Sequence, residues 1–424
     1  MILKDVLKNL NSGEIPPDET TILIITSSYP SKIQNLRGTF IGKQVRCMAD
    51  RGYHMVVLTP HVPGASLFES YDKIDIFRFP YFFPTSLQRL STPGGMYFGF
   101  KQSLPGKIQM IPYLFMMILF SGIIIRKKHI KFIHTHWIIP QGIAGAIWKY
   151  FFRIPHISTA HVLDLTISDN IPILKSLIRR VLKKTDVVTV NSSFTKKQVL
   201  RFSPPNIPIW IIPMGMDEKR VFFIQEGDIS KKRRNSILFV GRLIDWKGVD
   251  ILIQAIHLVK KRIPDVLLII VGEGPDRQKY EKLTIQLHLE DTILFKGRIS
   301  DDELNLSYFK ADLFILPSNE IKGIVMEGLG VVLLEAMASG TPVIGSNTGG
   351  IPDIIEDGVN GLLVTPGDPQ ALADAIIRIL ENPDLADRFR KAGLETVRER
   401  FSWDVITDQF VEVYQEILKE SHHE

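Results

Sequence analysis

Short runs of Ile, Val and Leu recur along this chain, separated by stretches whose apolar residues fall at helical spacing. Several runs, such as Ile237–Val240, are apolar at every position rather than at alternate ones, as expected of strands buried on both faces. Such strands need helices above and below them, so the pattern leaves little room for anything but parallel sheets with crossover helices. In the first half the strand candidates are Thr21–Thr26, His54–Thr59, Ile74–Phe79, Lys131–Thr135, His156–Thr159, Asp186–Asn191 and Pro208–Ile212. Helices are expected between them, for example over Thr39–Arg51 and Ile171–Lys184. A polar segment, 217–235, containing Lys231, Lys232, Arg233 and Arg234, then interrupts the alternation. It restarts with Ile237–Val240, Val266–Val271, Thr292–Phe295, Leu313–Leu316, Pro342–Gly345 and Gly361–Val364. Phe401–Glu420 reads as one amphipathic helix, with Trp403, Ile406, Phe410, Val413 and Ile417 on one face.

The expectation is an α/β chain of two Rossmann-like, doubly wound domains facing across a cleft. An N-terminal extension (1–20) precedes the first domain (21–216), a linker (217–235) joins it to the second (236–400), and the closing segment (401–424) follows. At 424 residues each domain can bury an ordinary core. Doubly wound sheets bind ligands at the carboxyl ends of their strands, where helix N-termini aim bare amides outward.

Charge divides the chain. Residues 1–220 hold 28 Lys and Arg against 13 Asp and Glu, whereas the remainder holds 23 against 33. A basic half joined to an acidic half points to different partners for the two. With no nucleic-acid-binding motif in sight, an anionic membrane surface is favoured over nucleic acid for the basic half. The most apolar run, Ile111–Ile125, is followed by Arg126, Lys127, Lys128 and His129. As a helix it would reach about 22 Å, short of the roughly 30 Å hydrocarbon core of a bilayer. A core helix, or one lying in a membrane interface, is therefore expected rather than a spanning one. The N-terminus lacks the apolar stretch of a secretory signal. The single cysteine, Cys47, permits no intrachain disulfide and no cysteine-based metal site. That suits a cytoplasmic protein, peripheral at most on the inner face of a membrane.

Four constellations carry chemistry. Directly after the run Ile237–Val240, Arg242 and Lys247 can converge on one anion, a planar fork beside a point charge, as a diphosphate needs. Glu327-Gly328-Leu329-Gly330 leads into an apolar helix carrying Glu335, so the amides of Gly328, Leu329 and Gly330 are candidates for a phosphate or a hydroxyl. Two carboxylates beside a phosphate site make sense if each holds a neutral polyol: sugar hydroxyls for Glu327, a ribose diol for Glu335. Arg37-Gly38-Thr39-Phe40 follows the first strand, where Gly38 would let a phosphate approach the backbone. The fourth is histidine. His161 closes one strand with Asp164 three residues on, and His134 and His136 flank Thr135 at the end of another. A neutral imidazole there can donate to a sugar hydroxyl or shuttle a proton, and a satisfied structural role is the competing reading for all three. The His-x-His pair has no third ligand at suitable spacing, so a metal is not expected. Gly272-Glu273-Gly274-Pro275 superficially matches a dinucleotide fingerprint, but Pro275 and the missing third glycine argue against a dehydrogenase.

On these residues the chain resembles the retaining glycosyltransferases of family 4, which have the two-domain GT-B fold. The likeness covers about Thr21 to Tyr414. It is carried by S-Y-P with G-T-F, T-H-W-I-I-P-Q-G at Thr135–Gly142 and I-P-M-G-M-D at Ile212–Asp217. The second half adds V-G-R-L-x-x-x-K-G, V-G-E-G-P and, most specifically, E-G-L-G-V-V-L-L-E-A-M-A-S-G-T-P-V-I. The resemblance implies transfer of a sugar from a UDP- or GDP-sugar to a hydroxyl acceptor, a lipid-linked or cell-surface glycan precursor, with no cofactor and no metal. Arg242 and Lys247 would hold the diphosphate, Glu335 the ribose, and Glu327 the transferred sugar, assisted by the amides of Leu329 and Gly330. Gly38 and Thr39 would serve the distal phosphate, and His161 the sugar and acceptor. The family retains anomeric configuration by same-face attack, the departing phosphate acting as base, and its final helix crosses back onto the first domain. Leu329 stands where phenylalanine is common, and His161 is followed by Val162 where many relatives have glycine. A GT-B nucleotide-sugar epimerase or hydrolase, and a non-catalytic nucleotide-sugar-binding protein, are the alternatives.

Overall fold

The computed structural model describes residues 20–31, 39–91, 96, 104–162, 165–166, 171–216, 235–320 and 327–421. Arg37, Gly38, Asp164, the extension up to residue 19 and all of the expected linker except Asn235 lie outside the described residues. The chain divides into two compact units. The first takes in residues up to Val190, Lys196–Ile212 and the chain from Thr407 onward; the second takes in Asn191–Thr195 and Pro213–Ile406.

The first unit holds an eight-stranded sheet in the order β3-β4-β2-β1-β5-β6-β7-β8. Its strands are β1 (Thr21–Ile25), β2 (His54–Pro60), β3 (Phe68–Tyr71), β4 (Ile74–Phe79), β5 (Phe132–His136), β6 (His156–Ala160), β7 (Val187–Val190) and β8 (Ile209–Ile211). All neighbours pair in parallel except β3 with β4. β3 was not among the expected strands, because Phe-Glu-Ser-Tyr has no apolar run. It is pinned by Arg78, whose fully buried guanidinium donates to Glu69 at 2.7 Å and to the carbonyls of Ser66 and Pro30 at 3.0 Å. The order β2-β1-β5 makes the gap between β1 and β5 the point where chain progression reverses. In a doubly wound sheet that is the ligand crevice.

The second unit holds a six-stranded parallel sheet ordered β11-β10-β9-β12-β13-β14. These are β9 (Ser236–Val240), β10 (Leu267–Val271), β11 (Ile293–Gly297), β12 (Leu313–Leu316), β13 (Val343–Ser346) and β14 (Leu362–Val364). Ile237, Leu238, Phe239 and the whole of β12 are fully buried, as uniformly apolar runs demand. Chain progression here reverses between β9 and β12. Three of its helices start on side-chain caps: Ser300 accepts from the Glu303 amide, Asp368 from Gln370 and Ala371, Asn382 from Leu385.

One expectation needs correcting. The apolar run is part of a longer helix, Leu104–Lys127, of 24 residues with Pro112 inside it, so its length is about 36 Å rather than 22 Å. It is long and apolar enough to cross a membrane. However, Tyr113, Met117, Phe120 and Ile124 are buried in the core of the first unit, so half its circumference is already occupied. The closing helix is Trp403–Ser421. Ile406, Phe410, Val413 and Ile417 are buried as their spacing requires, and the helix from Thr407 onward belongs to the first unit.

Candidate active site

The second unit gathers its polar groups at the reversal point of its sheet. Arg242 leaves the carboxyl end of β9 exposed, and the chain then makes a single 3-10 turn, Asp245–Lys247. Gly248 ends that turn at φ +67°, and a Cβ there would lie 1.9 Å from the Pro317 carbonyl oxygen. Only glycine meets both demands. Its absent side chain lets the β9 loop sit against the residues that follow β12, where the Asn319 amide donates to the Trp246 carbonyl at 2.8 Å. This approach delivers Lys247 to Glu327. The ammonium donates to a carboxylate oxygen at 2.5 Å, and the Ser318 hydroxyl donates to the same oxygen at 2.9 Å. Both charged side chains are mostly buried, at 18% and 11% exposure, so they need each other or a ligand.

The Gly272-Glu273-Gly274-Pro275 segment acts here as a brace. The Leu243 amide donates to the Glu273 carbonyl at 3.1 Å and the Asp276 amide to the Leu243 carbonyl at 3.1 Å. Cβ atoms at Gly272 and Gly274 would collide with the carbonyls of Gly241 and Leu243. These glycines shape the Arg242 loop from beneath. Gly328 and Gly330 lead into the helix Val331–Ala338, Gly330 at φ +93° in the left-handed region. The Leu329 side chain is buried in the core, leaving its backbone at the helix entrance. Glu335, about one turn into that helix, accepts from the hydroxyl of the buried Tyr308 at 2.7 Å. The structure thus joins Lys247 with Glu327 and sets Glu335 apart on its own hydroxyl. Ser318 and Tyr308 were not foreseen. Ser318 could have been, as the polar residue just past a strand end in L-P-S.

The first unit carries a different site. At its own reversal point β5 ends in His136, and β6 runs into His161 one strand further on. The three histidines singled out from the sequence are stacked: His134 on His136 at 4.8 Å, His136 on His161 at 6.1 Å. Their roles separate. His134 bonds through both ring nitrogens, to the Tyr414 hydroxyl and to Thr159, each at 2.7 Å, which is a structural role. Neither nitrogen of His136, nor Nε2 of His161, has a hydrogen-bond partner among the described residues, although both rings are buried. The sequence treated His134 and His136 alike, and that equivalence does not survive. Burial pushes all three towards the neutral form, His134 to about 3, His161 to about 4, and His136 well below its ordinary value.

Trp137, absent from the sequence candidates, joins them. Its ring lies 4.5 Å from that of His161, its buried indole N–H has no partner among the described residues, and its backbone sits at φ +80°. A left-handed tryptophan costs about 1–3 kcal/mol, and such strain concentrates at functional positions. Its signals in the sequence were its place directly after His-x-His and within T-H-W-I-I-P-Q-G. Phe40, at the start of the helix Thr39–Asp50, meets His136 and His161 edge-on at 6.4 and 5.8 Å. Orphaned donors and acceptors walled by aromatic rings suit a hydroxyl-bearing ligand. Among the described residues no group of three or more His, Cys, Asp and Glu is placed to hold a metal ion.

Two family profiles match in tandem, Glycosyltransferase Family 4 over residues 38–220 and Glycosyl transferases group 1 over residues 222–396. The chain is 28% identical over 391 residues to the N-acetyl-alpha-D-glucosaminyl L-malate synthase of Bacillus anthracis, covering 90% of this chain and 93% of that one. It is 27% identical over 400 residues to the GDP-mannose-dependent alpha-(1-6)-phosphatidylinositol monomannoside mannosyltransferase of Mycobacterium tuberculosis, covering 91% and 95%. Among solved structures, the sucrose-phosphate synthase of Thermosynechococcus elongatus matches with a TM-score of 0.76 at 24% identity, covering 95% of this chain and all of that one. That last likeness bears on the fold, which is that of the GT-B enzymes. With a profile for each half, relatives along its whole length and a cation–carboxylate–glycine constellation at the reversal point of the second sheet, the chain belongs to glycosyltransferase family 4.

Proposed function

We propose that this glycosyltransferase moves a hexosyl unit from a UDP- or GDP-sugar to a hydroxyl of a lipid-linked or cell-surface glycan precursor. Anomeric configuration is retained, and neither a metal nor a cofactor is needed. The reading rests on one observation above others: Lys247, Glu327 and the glycines around Leu329 meet where the second sheet reverses direction. In it, the diphosphate takes the Lys247 ammonium in exchange for the Glu327 carboxylate, with the Arg242 fork as second cation. The amides of Gly328, Leu329 and Gly330 face the phosphate and sugar at the helix entrance. Freed from Lys247, Glu327 accepts from sugar hydroxyls, while Glu335 takes the ribose diol.

As the glycosidic bond to the diphosphate breaks, negative charge grows on the leaving oxygen, and these fixed cations and amides stabilise it most at that moment. The departing phosphate accepts the proton of the acceptor hydroxyl attacking from the same face. In the first unit His136, Trp137 and His161 are assigned to acceptor and sugar hydroxyls, as neutral hydrogen-bonding groups. Gly38 and Thr39 keep the distal phosphate. The two relatives differ in what their names give them to glycosylate, one making a malate glycoside and the other acting on a phosphatidylinositol-linked mannoside. The basic first unit favours the lipid-linked case and a peripheral position on the cytoplasmic face of a membrane.

The test is release of nucleotide diphosphate from a panel of UDP- and GDP-sugars, with and without membrane extracts as acceptor source, in the presence of a chelator. Release that depends on acceptor and survives chelation is the expected result. Acceptor-independent release would favour a hydrolase, conversion of the donor without release would favour an epimerase, and binding without either would favour a non-catalytic protein.

A further inference from the structure

The helix Leu104–Lys127 shows a face that the core of its own unit leaves open. Leu104, Ile108, Ile111, Phe115 and Leu119 are all exposed, Ile111 by 76% and Phe115 by 64%. Their spacing of four, three, four and four residues places them in one line along the helix. The opposite side, with Tyr113, Met117, Phe120 and Ile124, fills the core. Water thus meets a continuous apolar ridge of more than four turns, where a surface helix of a globular domain would present charge.

The ridge is extended at both ends. Gly122 and Arg126 continue the same line. The Trp148 ring lies over Gly122, where a Cβ would be only 2.5 Å from it, and the Phe152 ring sits 5.4 Å from the Arg126 guanidinium. Beside them Tyr150 and Phe151 are exposed. Towards the other end, Gln109 accepts from the Arg89 amide and donates to the Leu87 carbonyl, both at 2.9 Å, which holds the exposed Leu87 next to the helix.

Charge identifies the occupant. From Ile76 to Leu163 the sequence has no Asp or Glu at all and ten Lys and Arg. Arg89, Lys107, Arg126 and Lys127 are exposed on or beside the ridge. Pairing of two copies through this face would set cation against cation with no carboxylate between them. A spanning role is closed off by the half of the helix already packed in the core. An apolar ridge flanked by cations fits a surface that offers both acyl chains and negative headgroups.

We propose that the Leu104–Lys127 ridge is the membrane-docking surface of this protein, lying in the plane of an anionic bilayer with Ile111 and Phe115 sunk among the acyl chains. This deepens the peripheral-membrane part of the proposed function and rests on it, but it is independent of the donor assignment. The full chain is floated with vesicles of equal parts phosphatidylcholine and phosphatidylglycerol, and with phosphatidylcholine alone. Binding to the mixed vesicles is expected at low salt, and much weaker binding to the neutral ones. The double substitution Ile111→Ser with Phe115→Ser, at sites open to water, should lower the partition coefficient by about a hundredfold and leave the melting temperature and nucleotide binding unchanged. The idea is overturned if the wild type stays with the protein-only fraction, or if the double variant floats as well as the wild type. It is also overturned if the substitution instead dissolves a dimer seen without lipid. Sugar transfer without flotation would sink this inference alone, whereas flotation without nucleotide release would sink the donor reading and leave the ridge standing.

Discussion

The two units solve the problem of a waiting polar site in opposite ways. In the second, the candidate groups are charged and hold each other: Lys247 donates to Glu327, Ser318 shares the same oxygen, and Tyr308 caps Glu335. In the first, the groups are neutral, with His136, Trp137 and His161 leaving four ring nitrogens without a hydrogen-bond partner among the described residues. A half-buried charge without a counterion is too costly to keep, so a site for a charged ligand must be self-paired until the ligand arrives. Neutral donors cost less to leave open, about 1–3 kcal/mol each, and can be kept ready where aromatic walls hold their geometry. The proposed donor site of the second unit is thus expected to work by exchange of partners, and the imidazoles of the first unit by filling a vacancy.

The largest effect should come from Lys247→Ala. If the ammonium leaves Glu327 for the diphosphate, its loss removes about 2–4 kcal/mol of transition-state stabilisation, or roughly a hundred- to thousandfold in kcat/KM. The change also strips the mostly buried Glu327 of its cation and leaves it the Ser318 hydroxyl, so some loss of stability should accompany it, read by a thermal melt. Steady-state release of nucleotide diphosphate measures it, and a variant with wild-type kcat/KM would end the partner-exchange account of the second unit.

Acid should strike the first unit. Its buried imidazoles have native pKa values below the unfolded value near 6.5, with His134 at about 3 and His156 and His161 at about 4, chiefly through burial. The unfolded chain therefore binds more protons between those limits, and stability falls as the pH is lowered. The contribution is complete above about pH 6.5 and is lost progressively down to about pH 4, and to about pH 3 for His134, on the order of 3 kcal/mol per imidazole. Pulse proteolysis in urea at about pH 7 and about pH 5, with fragments identified by mass, separates the units. Fragments of the first unit should disappear at lower urea in the more acidic series. Equal movement of both units would remove the distinction drawn here.

The contrast also explains what could be read without coordinates. Uniformly apolar runs such as Ile237–Val240 give themselves away as doubly buried strands, and thirteen of the fourteen strands among the described residues lie where the alternating pattern predicts strands. The exception, β3, exists because Arg78 and an edge position hold Phe-Glu-Ser-Tyr in place, a tertiary cause invisible in four residues. The charged candidates stood out for a related reason: Lys247 and Glu327 have few uses at a strand end or a glycine-rich helix entrance other than holding something. The histidines were not. His134 and His136 are two residues apart on one strand, and what makes one structural and the other open is the Tyr414 hydroxyl, 280 residues away in sequence. Trp137 was missed because a tryptophan's ordinary place is a core, and only its left-handed backbone marks it out.

That last pair of histidines supplies the smallest effect and the finest discrimination. In Tyr414→Phe the fully buried His134 Nδ1 loses its 2.7 Å partner, which should cost about 1–2 kcal/mol of stability. Turnover should stay within about twofold, since the hydrogen bonds of His134 go to Tyr414 and Thr159 and not to the open nitrogens of the stack. The mirror-image substitution, His136→Phe, removes two nitrogens that have no partner to lose among the described residues, so stability should hold or rise slightly. Acceptor-dependent turnover should nevertheless fall by roughly tenfold or more, with donor affinity unchanged. Thermal melts alongside donor titration and acceptor-dependent release give all three readouts. If instead both variants melt early and turn over normally, the imidazole stack is scaffolding throughout, and the first unit binds its acceptor elsewhere.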